Sequence, residues 1–186
     1  MRAGKCNAMP DRIFHFTTPL GNLTAAASGD ALVGLWFDGQ KHFGSVLRET
    51  EEGGADPASD RTEEWLRLYF QGRDPGFRPE LFLRGTDFQC RVWERLLTIP
   101  YGHTVSYGQI AAMLSSETGH PVSARAVGNA VGRNPVSLII PCHRVVGKDG
   151  KLTGYAGGLE RKQCLLEMER TGRLPVLSPG FPFGTI

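Results

Sequence analysis

The sequence predicts an α/β N-terminal domain, an antiparallel sheet with a helix, followed by a mainly α-helical C-terminal domain with a helix-turn-helix. Short β-type runs alternate with turn residues over 13–38. Capping residues precede apolar helical patterns from residue 86 onward. A Pro- and Gly-containing stretch, 72–85, separates the two patterns and reads as a linker. The predicted domains are therefore 1–84 and 85–172, with an irregular tail at 173–186.

The composition is that of a globular protein. Of the 186 residues, 40% are hydrophobic and 22% are charged, which argues against extended disorder, collagen-like repeats and a coiled coil. No stretch reaches the roughly 18 apolar residues of a membrane span, and Met1–Asn7 lacks the apolar core of a signal peptide. We expect no membrane contact and no export. The net charge of +2 divides into −2 over 1–84 and +3 over 85–172, which weakly favours a polyanionic partner for the second half.

The first half reads as a three-stranded meander and one helix. Three β-type runs joined by turn residues predict antiparallel strands, at 13–17, 23–27 and 32–37. The acidic stretch 49–60 contains Gly and Pro and predicts a loop. Asp60, with Glu63 three residues later, resembles a capping box. It should start a helix that Gly72 stops and that carries Trp65, Leu66, Tyr69 and Phe70.

Capping residues also delimit the helices of the second half. Thr86 with Gln89 and Ser106 with Gln109 are capping boxes, and Ser123 is an N-cap. Four helices should follow: one that is capped by Thr86 and ended by Pro100, and three that cover 106–114, 123–132 and 159–169. The second and third of them form a candidate helix-turn-helix, although their turn exceeds the usual three or four residues. We interpret 115–120, including His120, as a solvent-facing loop that borders the expected polyanionic partner.

Chemistry concentrates at Cys142, His143 and Arg144, which stand between the apolar runs 138–140 and 145–146. Burying such groups is costly unless each finds a partner, and a thiol near a base can become a reactive thiolate. The triplet alone leaves open a buried structural cysteine beside a surface histidine, a Cys–His metal corner and a cysteine hydrolase. The four cysteines are dispersed and are expected to be free thiols: Cys6, Cys90, Cys142 and Cys164.

Ordered motifs over the second half give the sequence a recognisable resemblance. They are Phe-Gln-Cys-Arg-Val-Trp, Ile-Pro-Tyr-Gly-His-Thr-Val-Ser-Tyr-Gly, Arg-Ala-Val-Gly, Gly-Arg-Asn-Pro, Pro-Cys-His-Arg-Val and Gly-Tyr-Ala-Gly-Gly-Leu, at 88–93, 99–108, 125–128, 132–135, 141–145 and 154–159. Together they resemble the O6-alkylguanine-DNA alkyltransferases, or methylated-DNA–protein-cysteine methyltransferases. The likeness is dense over 85–171 and looser over 13–84, where Pro-Leu-Gly at 19–21 and Leu-Trp-Phe at 35–37 are typical. It implies a ribonuclease H-like N-terminal domain and a winged-helix-like C-terminal domain.

The resemblance implies DNA repair by direct damage reversal, without a cofactor. An alkyl group passes irreversibly from O6-alkylguanine in a flipped-out base to Cys142, one lesion per protein molecule; O4-alkylthymine stays open as a second substrate. His143 matches the family's base, acting through a water, and Glu169 matches the carboxylate that holds it. Tyr107 matches the donor to the leaving guanine, and Asn134 matches the hinge that braces the cysteine loop.

The resemblance also assigns the pocket that holds the base. The backbone carbonyls of Cys142 and Val145 are expected to read the guanine amino group. Tyr155 should line the pocket wall, and Gly157 should leave space for the alkyl substituent. Ala156 replaces a serine that contacts the base in some members, so we expect an altered preference and retained transfer.

The expected partner is double-stranded DNA that contains O6-alkylguanine, bound by a monomer. A base must leave the duplex to reach a buried thiol, and Arg125 matches the residue that fills the gap in the stack. Ser106 is expected at the same interface. The helix that carries Arg125 has a side of small residues that suits the minor groove: Ala124, Ala126 and Gly128.

Other features bear on the remaining hypotheses. Cys6 could match one ligand of a zinc site found in some members, but Ser28 and Val33 replace a cysteine and a histidine there, so we predict no metal. A non-catalytic lesion sensor lacks the acceptor cysteine, which Cys142 supplies. A helix-turn-helix regulator should present long polar side chains to the bases, unlike this small-residue helix. The expected location is the cytoplasm, at the nucleoid, in a prokaryote or the nucleus in a eukaryote.

Overall fold

The computed structural model describes residues 10–54 and 56–176. Its first half is built on a mixed four-stranded sheet with the strand order β3 (Ala31–Phe37), β2 (Gly21–Ser28), β1 (Asp11–Thr18), β4 (Thr50–Glu52). The predicted meander is confirmed, because antiparallel pairs join β1 to β2 and β2 to β3. Gly29 has a φ of 59° in the β2–β3 turn, in the left-handed region that glycine tolerates.

The prediction of a continuous loop over 49–60 is wrong at both ends. β4 (Thr50–Glu52) pairs in parallel with β1. Its side chains are all exposed, so no apolar alternation revealed it. The helix α1 (Pro57–Phe70) begins earlier than the predicted capping box, since Asp56 is its N-cap and accepts hydrogen bonds from the N–H groups of the next turn. Asp60 lies inside the first turn of that helix, which packs against β1 and β2.

The second half is mainly helical, as predicted. It contains α2 (Asp87–Leu96), α3 (Tyr107–Thr118), α4 (Ala124–Gly132) and α5 (Leu159–Thr171). The capping boxes at Thr86 and Ser106 and the N-cap at Ser123 are all confirmed. A short parallel pair that was not predicted joins β5 (Val105–Ser106) to β6 (Val145–Val146). This pair connects the start of α3 to the chain just after the Cys142–Arg144 turn.

The predicted loop at 115–120 is mostly helix. Ser115 and Thr118 donate their hydroxyl protons to the carbonyls of Ala111 and Leu114, both over 2.8 Å, so these polar residues are satisfied within α3. The helix ends at Gly119, whose φ of 70° is left-handed. The four residues 115–118 therefore add about one turn to α3 beyond its predicted end at 114. They leave only 119–123 between the two helices of the helix-turn-helix.

The outer edge of β3 holds the segment that leads to Cys142. Leu35 donates its N–H to the carbonyl of Pro135 over 2.9 Å and accepts the N–H of Ser137 over 2.7 Å. Farther along the same edge, Phe82 of the predicted linker donates to Leu32 over 2.8 Å. Buried apolar side chains from both halves form one continuous core. The N-terminal sheet thus supports the chemistry-bearing segment directly.

No helix within 10–54 or 56–176 has the length and apolar character that crossing a bilayer requires.

Candidate active site

Cys142 is 3% exposed and begins a single turn of 3₁₀ helix, Cys142–Arg144. Its Sγ accepts a hydrogen bond from the Nδ2 of Asn134 over 3.0 Å. Burial raises the pKa of the Cys142 thiol, while this hydrogen bond and the charge of Lys162 act to lower it. The sulfur is thus in an apolar setting in which two groups favour its thiolate form.

The side chain of Asn134 braces the segment around that thiol. Its Nδ2 also donates to the carbonyl of Ile140 over 2.8 Å, and its Oδ1 accepts the N–H of Val136 over 3.0 Å. One buried amide therefore connects the beginning of the segment to its end and to the sulfur. An aspartate would keep the acceptor and lose the donors.

His143 and Glu169 form a fully buried pair. The Nε2 of His143 donates to the Oε1 of Glu169 over 2.7 Å, because a carboxylate only accepts. The other ring nitrogen, Nδ1, is therefore the basic one, and it is buried without a hydrogen bond to the described residues. Burial lowers the pKa of His143, against the opposing effect of Glu169. The geometry is that of a neutral imidazole whose Nδ1 can take a proton.

Glu169 is held ionised by four donor groups besides His143. Arg144 donates from Nε to Oε2 over 2.9 Å and from Nη2 to Oε1 over 3.0 Å. The N–H of Gly102 donates to Oε2 over 3.0 Å, and the hydroxyl of Tyr69 donates to Oε1 over 2.7 Å. Burial alone would raise the pKa of Glu169, but His143 and Arg144 hold it well below its usual range.

A cavity of about 490 Å³ opens onto Cys142 and is called the Cys142 cavity below. Its walls come from distant parts of the chain and include Tyr107, Gly128, Tyr155, Ala156, Lys41 and His42. The hydroxyl of Tyr107 lies 3.4 Å from the carbonyls of Thr153 and Gly154. These are long hydrogen bonds, so the phenol can turn toward a group that enters the cavity.

Two of the predicted pocket residues lie outside the lining. Val145 is fully buried, and its carbonyl accepts the Nζ of Lys162 over 2.5 Å; a carbonyl can accept a second donor. A Cβ on Gly157 would lie 2.8 Å from the ring of Tyr155 and 3.2 Å from that of Phe37. The small size of Gly157 therefore makes room for the Tyr155 ring, which in turn lines the cavity.

Most of the predicted DNA-contacting residues share one open concavity of about 480 Å³, called the α4 groove below. It is lined by Ser106, Tyr107, Gly108, Ala124, Arg125, Gly128 and Lys148. Arg125 is exposed, whereas Ala126 is half-buried and is not part of the lining. Tyr107 and Gly128 line both the α4 groove and the Cys142 cavity. The two depressions are therefore adjacent, and Tyr107 and Gly128 form part of the wall of each.

Several polar residues of the site escaped the sequence analysis, among them Lys41, His42, Tyr69, Lys148 and Lys162. Lys162 is fully buried, and its Nζ donates to the carbonyls of Val145, Thr153 and Gly154. It stands on the same helical face of α5 as Leu165 and Glu169, and a lysine at such a spacing was a readable signal. For Tyr69 no such signal existed, since an apolar core explains an aromatic residue equally well.

The structure also bears on the thiol and metal predictions. Cys90, Cys142 and Cys164 are free thiols. Within 10–54 and 56–176, no three His, Cys, Asp or Glu side chains are grouped so that they could hold a metal ion. Cys6, the candidate zinc ligand, lies outside these ranges.

Comparison with known proteins agrees with this geometry. Residues 87–171 match the family model described as 6-O-methylguanine DNA methyltransferase, DNA binding domain. The methylated-DNA–protein-cysteine methyltransferase of Mycobacterium tuberculosis is 48% identical over 162 residues, which are 86% of this chain and 94% of that protein. The inducible enzyme of Bacillus subtilis is 38% identical over 84% of each chain.

Solved structures show the same fold. The crystal structure of Mycobacterium tuberculosis OGT in complex with DNA matches with a TM-score of 0.74 at 45% identity, covering 87% of this chain and 94% of that one. An O6-methylguanine DNA methyltransferase from Methanococcus jannaschii matches with a TM-score of 0.58 at 30% identity, covering 93% and 99%. On its sequence, its fold and the residues gathered around Cys142, this chain belongs to the methylated-DNA–protein-cysteine methyltransferase family.

Proposed function

We propose that this protein repairs DNA by direct damage reversal, moving the alkyl group of O6-alkylguanine to the Sγ of Cys142. The observation that carries the proposal is the position of Cys142. Its sulfur accepts a hydrogen bond from Asn134 and lies at the Cys142 cavity. Tyr107 and Gly128 line both this cavity and the α4 groove, so the two are adjacent. The relative from Mycobacterium tuberculosis that was crystallised with DNA supports DNA as the partner.

The chemistry is a displacement at the alkyl carbon. The thiol proton passes through a bridging water to the Nδ1 of His143, and Glu169 stabilises the imidazolium. The sulfur of Cys142 then forms a bond to the alkyl carbon while the carbon–O6 bond breaks. The electron pair of the broken bond stays on O6 of guanine. A hydrogen bond from Tyr107 stabilises the departing base, which takes up a proton. The product thioether has no good leaving group, so the protein is consumed after one transfer.

The base reaches Cys142 by flipping out of the duplex. Arg125 enters the gap in the stack, where its planar cation also meets phosphate oxygens. Ala124 and Gly128 let α4 approach a narrow minor groove, and Lys148 adds a phosphate contact at the edge of the α4 groove. The carbonyl of Val145 reads the guanine amino group. Binding is independent of sequence, because it depends on the backbone and on the lesion, and a monomer suffices.

The proposal assigns different tasks to the two domains, 1–84 and 85–172. The second contains the Cys142 cavity and the α4 groove. The first supports the Asn134–Cys142 segment through the edge of β3 and supplies Lys41 and His42 to the mouth of the cavity. We assign no role to the tail at 173–186, of which residues beyond 176 lie outside the described ranges.

The decisive test is mass analysis of the intact protein after incubation with duplex DNA containing O6-methylguanine. We expect a gain of one CH₂ unit, mapped to the peptide with Cys142. Cys142→Ser should abolish the gain and retain DNA binding, whereas Cys90→Ser and Cys164→Ser should transfer normally. Binding to the lesion without any mass gain would instead favour a non-catalytic sensor. A label on Cys90 or Cys164 would also overturn the assignment.

A further inference from the structure

The phenol of Tyr69 reaches the centre of the site from the other half of the chain. Tyr69 lies on α1, is fully buried, and is separated from Glu169 by 100 positions. Its ring stacks on Trp65 with centroids 4.8 Å apart and meets the rings of Tyr101 and His143 edge-on. Packing alone therefore accounts for the ring but leaves the hydroxyl to be explained.

The hydroxyl contacts both members of the His143–Glu169 pair. It donates to the Oε1 of Glu169 over 2.7 Å, the same oxygen that accepts the Nε2 of His143. Its own oxygen lies 3.2 Å from that Nε2. Since the single phenolic proton goes to the carboxylate, a lone pair of the phenol faces the imidazole N–H. The three groups form a closed triangle around the bond that orients His143.

Glu169 does not need this hydroxyl to be satisfied. Oε2 accepts from Arg144 and from the N–H of Gly102, and Oε1 accepts from Arg144 and His143. A phenylalanine on α1 would fill the same space without burying a hydroxyl, which costs free energy wherever it lacks a partner. The hydroxyl of Tyr69 therefore acts at Oε1, where it shares the carboxylate charge that His143 and Arg144 would otherwise share between them.

We propose that Tyr69 is a positioning residue for the reaction, whose hydroxyl holds Oε1 of Glu169 against Nε2 of His143 and limits how strongly that carboxylate retains a proton on the imidazole. This inference rests on the proposed transfer to Cys142. It makes the N-terminal domain part of the proton relay in addition to its structural support. The groups that control the thiol proton then lie on three elements: Tyr69 on α1, Glu169 on α5, and His143 with Cys142 on the 3₁₀ turn.

The direction of the effect follows from electrostatics. Removing a donor from Oε1 concentrates negative charge beside Nε2, which favours imidazolium and raises the pKa of His143. A base that must be neutral before it accepts the thiol proton then works only at higher pH. The other titratable or charged groups around the His143–Glu169 pair stay in place in such a variant: Tyr101, Cys142, Arg144, Tyr155, Lys162 and Glu169 itself.

The test compares Tyr69→Phe with Tyr101→Phe. Both remove one buried hydroxyl from neighbouring rings near Glu169, but that of Tyr101 has no hydrogen-bond partner among the described residues. We expect Tyr69→Phe to slow methyl transfer from O6-methylguanine duplex DNA at low pH, where more of the imidazole is already protonated, by up to about tenfold, the effect of losing one hydrogen bond. The acid limb of its pH–rate profile should move to higher pH. Tyr101→Phe should match the wild type in both.

A second measurement does not depend on transfer. The imidazole of His143 is titrated by NMR in Cys142→Ser, with and without Tyr69→Phe, and its pKa should rise when the hydroxyl is removed. Equal pKa values and equal rates for the two Phe variants would make Tyr69 a core residue only. A raised pKa without methyl transfer in the wild type would instead contradict the proposed function and leave the triangle intact.

Two further variants extend the test, and the first of them keeps the inference falsifiable if Tyr69→Phe folds poorly. Replacing Tyr69 with 3-fluorotyrosine keeps the hydroxyl and makes it a stronger donor, so the pKa of His143 should fall. The double variant Tyr69→Phe, Glu169→Gln should transfer no more slowly than Glu169→Gln alone, because the hydroxyl acts through the carboxylate. An unchanged pKa in the first variant, or additive losses in the second, would overturn the inference.

Discussion

The side-chain nitrogen of Asn134 donates to the Sγ of Cys142 over 3.0 Å and to the carbonyl of Ile140 over 2.8 Å. The residue that braces the segment is thus also a hydrogen-bond donor to the proposed nucleophile. Burial raises the pKa of Cys142, and this bond opposes it. Loop geometry and thiol reactivity therefore depend on a single amide.

Asn134→Asp should separate these two roles. The variant keeps the acceptor for the N–H of Val136 and replaces the donor by a carboxylate oxygen, so the pKa of Cys142 should rise. We expect transfer to slow by about 10- to 100-fold, the effect of losing a hydrogen bond to a charged group. Alkylation of Cys142 by iodoacetamide across a pH series measures the thiolate directly. Asn22→Asp, at an exposed position of β2, is the control, and a pH profile identical to it would contradict the prediction.

Glu169→Gln should weaken the proposed transfer of the thiol proton to His143, while the glutamine side chain still fills the same space. Losing the carboxylate removes the charge that stabilises imidazolium on His143, and general-base contributions of this kind are typically about 100-fold or more. The rate of methyl transfer measures the loss, and its pH profile should change as well. Glu167→Gln, at a half-buried position of the same helix, should leave both unchanged. A wild-type rate and profile would reduce Glu169 to a structural carboxylate.

Acid stability should depend on the same carboxylate. The pKa of Glu169 lies well below its value in an unfolded chain, about 4.3. Such a group contributes stability that is fully present above the unfolded pKa and is lost as the pH falls toward the folded one. Urea midpoints between pH 7 and pH 3 should therefore fall more steeply in the wild type than in Glu169→Gln. Parallel curves would mean that another group governs acid unfolding.

Arg125→Ala should harm reaction with duplex DNA far more than reaction with the free base O6-benzylguanine. Only the duplex requires flipping, which costs about a few kcal/mol of unstacking, and Arg125 is exposed and outside the Cys142 cavity. Transfer rates on both substrates make the comparison. Arg91→Ala, at an exposed position of α2, is the charge-matched control. Equal losses on duplex and free base would place Arg125 in the pocket chemistry or in folding.

Lys162→Met should act on both stability and the thiol. Burial lowers the pKa of Lys162 to about 8, and its charge in turn favours thiolate at Cys142. The variant leaves three carbonyls without this donor, so we expect a loss of about 1–3 kcal/mol in unfolding free energy and a raised pKa of Cys142. Urea unfolding and iodoacetamide profiles measure the two effects. Lys151→Met, at an exposed position, should change neither.

Local features of the chain were readable in the sequence. The capping boxes at Thr86 and Ser106 involve residues three apart, and the strands of the meander are adjacent in the chain, so short-range rules sufficed for both. The order of the motifs around Cys142 likewise identified the family. Local rules failed where local alternatives were close in free energy. The hydroxyls of Ser115 and Thr118 suit a loop as readily as a bond to the preceding helical turn, and exposed β4 has no apolar pattern.

What only the tertiary structure decided is which polar groups satisfy one another. Glu169 accepts a hydrogen bond from Tyr69, which is 100 positions earlier. Lys162 donates hydrogen bonds to carbonyls of two separate segments. No periodicity predicts such pairs, because burial first removes the groups from water and their partners are then whichever donors and acceptors the packed core brings within reach. The sequence by itself determined the family, most of the helices and the candidate nucleophile Cys142, whereas the fold determined which hydrogen bonds surround its thiol.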